Sequence, residues 1–398
     1  MITRHHVEPS FFDGAEELRG ALDARFDKPF DDPTQWSYYH APQLSTYLRT
    51  PPRKVFPEPL FQRFVDRLSD WCMEHLGLLP IDDPTLHLMV NGCYLALHSD
   101  FHNGTYGYVF SLTRWDQRSF RGGETLLMKD GIPSYKKHFA HMTMLTELVP
   151  ARFNQLLVFD DRVVHATPII EGNMDPKEGR IAMVGHMRAT GPKVKGALAG
   201  PDVRRIVAEK LPSLAERLKQ WKDVQGVVAA RLSVAPTGEV TSAVTLSNTL
   251  VVPVSGYAKS DAVTAVKAEV DQMLAALKFP AAADSSQVTV AILVPVPDLK
   301  PIEVTLPHSL PIDRALACVE PLFAGTKALG KGTAKFDLAG ERDEHGWVVR
   351  APLDGVIRVG AGDVRASFEA PMWVPSQRMQ LEVDVKAFLE RAVKQTDG

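Results

Sequence analysis

The sequence predicts an α+β protein of several domains, and three observations carry that reading. Apolar residues recur at helical spacing in two early stretches, Leu18, Leu22 and Phe26 in one and Leu60 to Leu76 in the other. From about Leu86 the texture changes to short β-rich runs, LHLMVNGCYLALHSD, GYVFSLTRW, ETLLMKDG, NQLLVFDDRVVHATPII and RIAMVGHMR, which read as a sheet-rich domain ending near Ala189. A charged, helix-periodic stretch at 201–222 then separates this domain from two further α+β patterns.

In chain order, the first helix is expected from Asp13 to Phe26 and the second, more strongly patterned, from Leu60 to Leu76. The cluster Trp36-Ser37-Tyr38-Tyr39-His40 is expected to pack these helices onto the sheet. Residues 201–222 suit a helical connector, interrupted by Pro212. Two strands then flank the turn Pro236-Thr237-Gly238, followed by a helix from Asp261 to Leu277 and a strand from Val288 to Val294. A last segment offers strands near Thr333 to Leu338, Trp347 to Ala351, Gly355 to Val359 and Val364 to Phe368, and a helix from Val383 to Val393. The expected division is 1–195, a connector 196–225, a small α+β domain 226–298 and a C-terminal α+β domain 299–398.

Composition narrows the function. The 398 residues are 45% hydrophobic and 23% charged, enough apolar material for two or three cores. A formal charge of −3 offers no basic field for a nucleic-acid backbone, which removes nucleic acid as a partner. Cys72, Cys93 and Cys318 lie far apart with no C-x-x-C spacing, which fits a reducing compartment and excludes a thiolate zinc site. The first residues lack an apolar core of signal-peptide length, and no stretch has the roughly 18 uninterrupted apolar residues of a membrane span. The chain therefore reads as soluble and cytoplasmic, with no membrane partner.

Residues two apart on a strand share a face, so His98 and Asp100 project together. A third ligand type, His165, ends another strongly apolar strand. Two imidazoles and one carboxylate form the facial triad of non-haem Fe(II) sites, which leaves coordination positions open for other ligands. An isolated H-x-D is weak evidence, and context strengthens it: Arg121-Gly122-Gly123-Glu124-Thr125 falls between the two ligand strands, and Gly179-Arg180 opens the strand after His165. With these four features in this order, residues 1–190 resemble the 2-oxoglutarate and Fe(II)-dependent dioxygenases, in particular the prolyl 4-hydroxylase-like branch.

That resemblance implies a double-stranded β-helix of the jelly-roll or cupin type with flanking helices; the two small α+β domains that follow rest on the sequence pattern alone. It implies Fe(II) held by His98, Asp100 and His165, with 2-oxoglutarate and O2 as co-substrates and ascorbate as an accessory reductant. It places the distal carboxylate of 2-oxoglutarate on Arg180, whose planar guanidinium suits bidentate pairing. Because Asp100 is present, hydroxylation or desaturation is expected rather than halogenation. Two departures stand out: the turn between His165 and Arg180 is long, leaving Arg188 as the alternative carboxylate partner, and Ala182 occupies the position where a hydroxyl is common. Tyr94, on the face of His98 by alternation, is the first replacement for that hydroxyl, and Thr125 the second.

Other residues have a functional and a plain reading. His186 shares the face of Arg180 and could reach substrate or serve structure; His102, just past the ligand strand, could contact substrate or belong to an ordinary loop. His138 and His141 fall in a Lys-rich stretch and are expected to face solvent. Residues 116–146 are either a lid or a surface loop. Gly122 and Gly123 could do no more than bend the chain. Residues 227–294 faintly resemble the C-terminal domain of TonB-like energy transducers, from which only an α+β fold follows. The trailing domains are left to bind a protein substrate or to stabilise a homodimer. Three functions remain open at this stage: a 2-oxoglutarate-dependent hydroxylase of a peptide, protein or small-molecule C–H bond, a non-haem metal oxygenase that does not use 2-oxoglutarate, and a catalytically silent scaffold.

Overall fold

A computed structural model describes residues 1–27, 36–80, 83–101, 103–129, 145–189, 191–252, 261–297, 302–324, 339–343, 346–351, 355–360, 362–368, 382–383, 386–387 and 390. These residues form two compact units, 1–295 and 296–398.

The first unit begins with β1 (His5–Glu8), α1 (Ala15–Asp27), β2 (Ser37–Ala41), β3 (Ser45–Thr50), α2 (Glu58–His75), β4 (Leu79–Pro80), β5 (Thr85–Met89) and β6 (Tyr94–His98). It continues through β7 (Tyr106–Ser111), β8 (Thr125–Met128), β9 (Thr146–Val149), β10 (Gln155–Asp160), β11 (His165–Thr167) and β12 (Arg180–Arg188). Helix α2 is the stronger amphipath: proline and Glu58 occupy its first turn, His75 its last, and Leu60, Phe61, Phe64, Leu68, Trp71 and Cys72 form one buried stripe.

The strands hydrogen-bond antiparallel in the order β1-β10-β7-β12-β5-β3-β6-β11-β8-β9, with β2 added to β3 and β4 to β12. Two contacts show that the sheet curls. Strands β12 and β8 are five places apart in this order, which in a flat sheet is about 24 Å, yet Arg180 on β12 reaches Thr125 on β8 at 3.5 Å. Likewise Phe159 on β10 packs on His165 of β11 with ring centroids 4.6 Å apart. The ends meet in a cluster of Leu127, Val149, Leu157, Phe159 and Val163. The result is a half-barrel of jelly-roll type.

Alternation along β12 divides two environments. Met187 touches Cys72 of α2, Sδ to Sγ 3.4 Å, and Phe110, opposite Met183, packs on Phe64, so this face carries the helices. Arg180, Ala182, Val184, His186 and Arg188 share the other face, toward the interior of the curl. The 36–40 cluster departs from the expectation that it packs helices onto the sheet. Among the described residues β2 pairs only with β3, as an edge strand does, so Ser37, Tyr38 and His40 are exposed, and Trp36 alone of the cluster stacks on a helix residue, Phe26.

The rest of the first unit is β13 (Lys193–Gly196), α3 (Gly200–Leu218), β14 (Gly226–Val234), β15 (Val240–Asn248), α4 (Asp261–Ala275) and β16 (Ser286–Val294), with sheet order β13-β16-β14-β15. The expected strand-turn-strand-helix-strand pattern is present; the TonB likeness rests on that pattern alone. Helix α3 runs through Pro212 and buries Val203, Val207, Leu211 and Leu214. No compact-unit boundary falls between residues 195 and 226, because this layer is tied to the first by main-chain bonds. Ile2 bridges to Ser247, the Ser247 hydroxyl donates to Leu76 O at 2.7 Å, and Arg162 donates to Thr249 O.

The second unit contains β17 (Ile302–Pro307), α5 (Ile312–Ala324), β18 (Ala339–Asp343), β19 (Gly346–Ala351), β20 (Gly355–Val359) and β21 (Asp363–Phe368), in the order β17-β21-β20-β19-β18. The strand expected near 333–338 and most of the helix expected at 383–393 lie outside the described residues. No described helix is long and apolar enough to cross a membrane.

Candidate metal centre

Register brings the expected ligands together. On adjacent strands β11 and β6, His165 lies opposite His98, and Asp100 follows β6 by two residues. Asp100 Oδ2 lies 3.3 Å from His165 Nε2 and 3.7 Å from His98 Nε2. Two bonds of about 2.1 Å span at most about 4.2 Å; both Asp100–imidazole distances fall inside that span, and all three ligand atoms lie within 4.8 Å of one another, a cluster that could hold one ion.

Both imidazoles are set for metal. His98 Nδ1 donates to Ala96 O at 2.7 Å and His165 Nδ1 to Val163 O at 2.9 Å. A carbonyl oxygen only accepts, so each proton sits on Nδ1 and each Nε2 presents a lone pair. Burial, reinforced by His165, lowers the pKa of His98 and keeps its ring neutral. Burial pushes the Asp100 carboxyl up, but His165, His186 and His98 together hold it below its ordinary value. The Asn103 amide donates to Asp100 Oδ1 at 3.0 Å, leaving Oδ2 toward the histidines. Two neutral nitrogens and one carboxylate suit Fe(II), and the fit is to a mononuclear site with open positions.

Arg180 opens β12 and is 3% exposed. Its Nε donates to Gly123 O at 2.7 Å, Nη1 lies 3.5 Å from Met89 Sδ, and Nη2 lies 3.5 Å from Thr125 Oγ1. Among the described residues it forms no ion pair, and burial lowers its pKa to about 10. Gly123 has φ +79, and a Cβ there would sit 3.0 Å from Phe120 and 3.3 Å from Arg180 Cδ. The Gly-Gly segment thus bends the chain and also supplies the carbonyl that anchors the guanidinium.

The structure sorts the remaining expected residues. Thr125, rather than Tyr94, is the hydroxyl beside Arg180. The alternation argument for Tyr94 fails because β6 shifts register against β11: Thr167 faces Leu95 while His165 faces His98, so three steps on β6 match two on β11. Arg188 lies on the same face of β12 as Arg180, eight residues on, and donates from Nε and Nη2 to Asn103 O. His186 reaches the metal centre, as described below. His102, His138 and His141 lie outside the described residues, as does 130–144, about half of the lid expected at 116–146; the described part of that stretch includes strand β8.

Three residues of the interior escaped the sequence reading. Asp161, completely buried, receives His186 Nδ1 at 3.1 Å from both carboxylate oxygens, and with Asp100 these side chains form a second cluster of potential ligand atoms. Burial raises the Asp161 carboxyl to about 6. Tyr47 stacks on His87 with centroids 4.4 Å apart. Burial, together with Arg180 and Arg49, depresses His87 to about 3. A doubled aspartate before His165 was a usable signal for Asp161, since Asp160 is taken up by Arg162. His87 and Tyr47 gave none.

No protein-family model matches the chain, and no curated protein matches it. Among solved structures, a prolyl-4-hydroxylase of Pseudomonas putida is similar at 15% identity and TM-score 0.33, covering 48% of this chain and 94% of that one. HygX from Streptomyces hygroscopicus, with nickel, 2-oxoglutarate and hygromycin B bound, is similar at 15% identity and TM-score 0.31, covering 46% and 81%. A 2OG-Fe(II) oxygenase family oxidoreductase from Burkholderia pseudomallei is similar at 16% identity and TM-score 0.30, covering 45% and 82%.

Proposed function

We propose that the chain is a non-haem Fe(II) and 2-oxoglutarate-dependent dioxygenase that hydroxylates an unactivated C–H bond, in a peptide or protein side chain, with release of succinate and CO2. Arg180 is the observation that carries this reading. A guanidinium at 3% exposure that forms no ion pair among the described residues, with Glu124 contributing only a through-space attraction, is costly to bury, and an anionic ligand lowers that cost. A dicarboxylate with one end at the metal and the other at Arg180 meets both requirements.

When bound, Fe(II) and 2-oxoglutarate supply the oxidising power. The chain's own residues bind and orient. His98 and His165 present Nε2 because Ala96 and Val163 hold their Nδ1 protons, and Asp100 supplies the anionic ligand while Asn103 fixes its rotation. Arg180 orients the co-substrate, with Gly123 O and Thr125 Oγ1 setting its direction. Phe159, packed on the His165 ring, and the buried Leu127 exclude water from that side.

The test is succinate formation by the Fe(II)-loaded full chain with 2-oxoglutarate in air. Succinate from the unmodified chain and none from Asp100→Ala is expected. Equal succinate from the two, or none from a chain that has bound metal, contradicts the reading.

A further inference from the structure

His186 and Asp161 stand beside the triad without belonging to it. The Asp161 carboxylate is completely buried, and both of its oxygens lie 3.1 Å from His186 Nδ1. Its main chain is fixed on two sides, N–H to Thr105 O at 3.1 Å and C=O from Asp100 N–H at 2.8 Å. The carboxylate sits against bare backbone: a Cβ on Gly104 would come within 2.6 Å of Oδ2, and one on Gly107 within 2.7 Å of Oδ1. The ring it holds is partly open, with the His186 side chain 27% exposed. His186 Nε2 makes no hydrogen bond among the described residues.

Two other ligands can be set aside on geometry. The co-substrate is one: His186 follows Arg180 by six residues on the same face of β12, which at about 3.3 Å per residue separates their backbones by roughly 20 Å. A five-carbon dicarboxylate held by Arg180 at one end and by the metal at the other has no carboxylate left for His186. A second metal ion is the other. Asp100, Asp161 and His186 do lie within 4.8 Å of one another, but both Asp161 oxygens are taken up by His186 Nδ1. A buried carboxylate donated to by an imidazole is the arrangement that orients a histidine rather than one that opens a cation site.

We propose that Asp161 is a positioning residue that fixes the His186 ring, and that His186 Nε2, left with its lone pair once Nδ1 gives its proton to Asp161, accepts a hydrogen bond from a hydroxyl, amide N–H or ammonium of the substrate beside the metal, on the side away from Arg180. This rests on the oxygenase reading and deepens it by naming the substrate class: a molecule with a hydroxyl, amide N–H or ammonium close to the C–H bond that reacts. The structure places the pair where such a group, once held, sets the distance between that bond and the metal.

The experiment uses the full chain loaded with Fe(II) and 2-oxoglutarate. Oxygen uptake is followed with three probe sets: free amino acids for the ammonium, N-acetyl amino acid methylamides for the amide N–H, and monosaccharides for the hydroxyl. The variants are His186→Leu, His186→Gln and Asp161→Asn, each also titrated with Mn(II) and with 2-oxoglutarate. Stimulation by members of one set is expected, with the KM of the stimulating compound raised at least tenfold in His186→Leu. His186→Gln, which returns a polar atom, should recover part of that loss, and Asp161→Asn should fall between. One equivalent of Mn(II) per chain and 2-oxoglutarate affinity within twofold of the unmodified chain are expected throughout. An unchanged KM in His186→Leu, a second Mn(II) equivalent that Asp161→Asn removes, loss of 2-oxoglutarate affinity in the variants, or silence of all three sets overturns the proposal. Failure of the unmodified chain to bind 2-oxoglutarate removes the oxygenase reading itself.

Discussion

His165 and His98 face each other across β11 and β6 with ring centroids 4.2 Å apart, and each gives its Nδ1 proton to the carbonyl two residues before it. The repetition matters because a free imidazole chooses between two tautomers, and both rings are here committed to the one that frees Nε2.

Removing a ligand should therefore cost metal and little else. His98→Ala and Asp100→Ala are expected to lower Fe(II) or Mn(II) affinity by roughly 100-fold or more, measured by calorimetric titration. Both side chains are about one-fifth exposed, so the melting temperature of the metal-free protein should move by only a few degrees. A large loss of stability without metal would show instead that the cluster is structural.

Arg180→Ala should separate co-substrate from metal. Truncating one partner of a buried charge pair costs about 2–5 kcal/mol, so 2-oxoglutarate affinity is expected to fall roughly 30-fold or more while Mn(II) affinity stays within twofold. Arg188→Ala should leave 2-oxoglutarate affinity in place, because Arg188 donates to Asn103 O at the other end of the strand. The reverse ranking would move the carboxylate site to Arg188.

Gly123→Ala tests the anchor of that guanidinium. At φ +79, with Phe120 3.0 Å from the new methyl, the substitution should destabilise by about 1–2 kcal/mol. It should also weaken 2-oxoglutarate binding, since Gly123 O holds Arg180 Nε. A stability change without a change in affinity would mean that the anchor does not orient the guanidinium.

His87 gives a pH dependence with a defined sign. Its folded pKa is about 3, depressed first by burial and then by Arg180 and Arg49, against an ordinary value of 6.5. The unfolded chain therefore binds a proton that the folded chain refuses. Stability from this group is present above pH 6.5 and is lost as pH falls toward 3, at about 1.4 kcal/mol per unit of pKa difference. Urea unfolding at pH 7 and pH 4.5 should show a smaller acid loss for His87→Phe, which keeps the stack on Tyr47, than for the unmodified chain. Equal acid losses would contradict the assignment.

The parts of this site that were legible in the sequence are those fixed by local periodicity. His98 and Asp100 are two residues apart, His165 ends an apolar run, and Arg180 opens the next, so their faces follow from alternation. Tyr94 shows where that reasoning stops, because one register shift between His98 and Leu95 breaks the parity and leaves no mark in composition. Asp161, His87 and Tyr47 depend on which strands become neighbours: β3 pairs with β5 and sets Tyr47 against His87, and β10 and β12 flank β7 and bring Asp161 to His186, a strand order that no local pattern carries. The 36–40 cluster misled because aromatic residues on an edge strand have the same composition as a core. The boundary expected near residue 195 was read from a charged helix, but the Ile2 main chain and the Arg162 guanidinium join the layers, each on a backbone partner that carries no sequence signature.

The most direct measurement is anaerobic titration of the Fe(II)-loaded chain with 2-oxoglutarate, following the weak visible metal-to-ligand charge-transfer absorption. The band should appear at one equivalent, vanish in His98→Ala and need a much higher 2-oxoglutarate concentration in Arg180→Ala. Metal bound with no band at saturating 2-oxoglutarate would contradict the assignment of Arg180 and the triad to one co-substrate site.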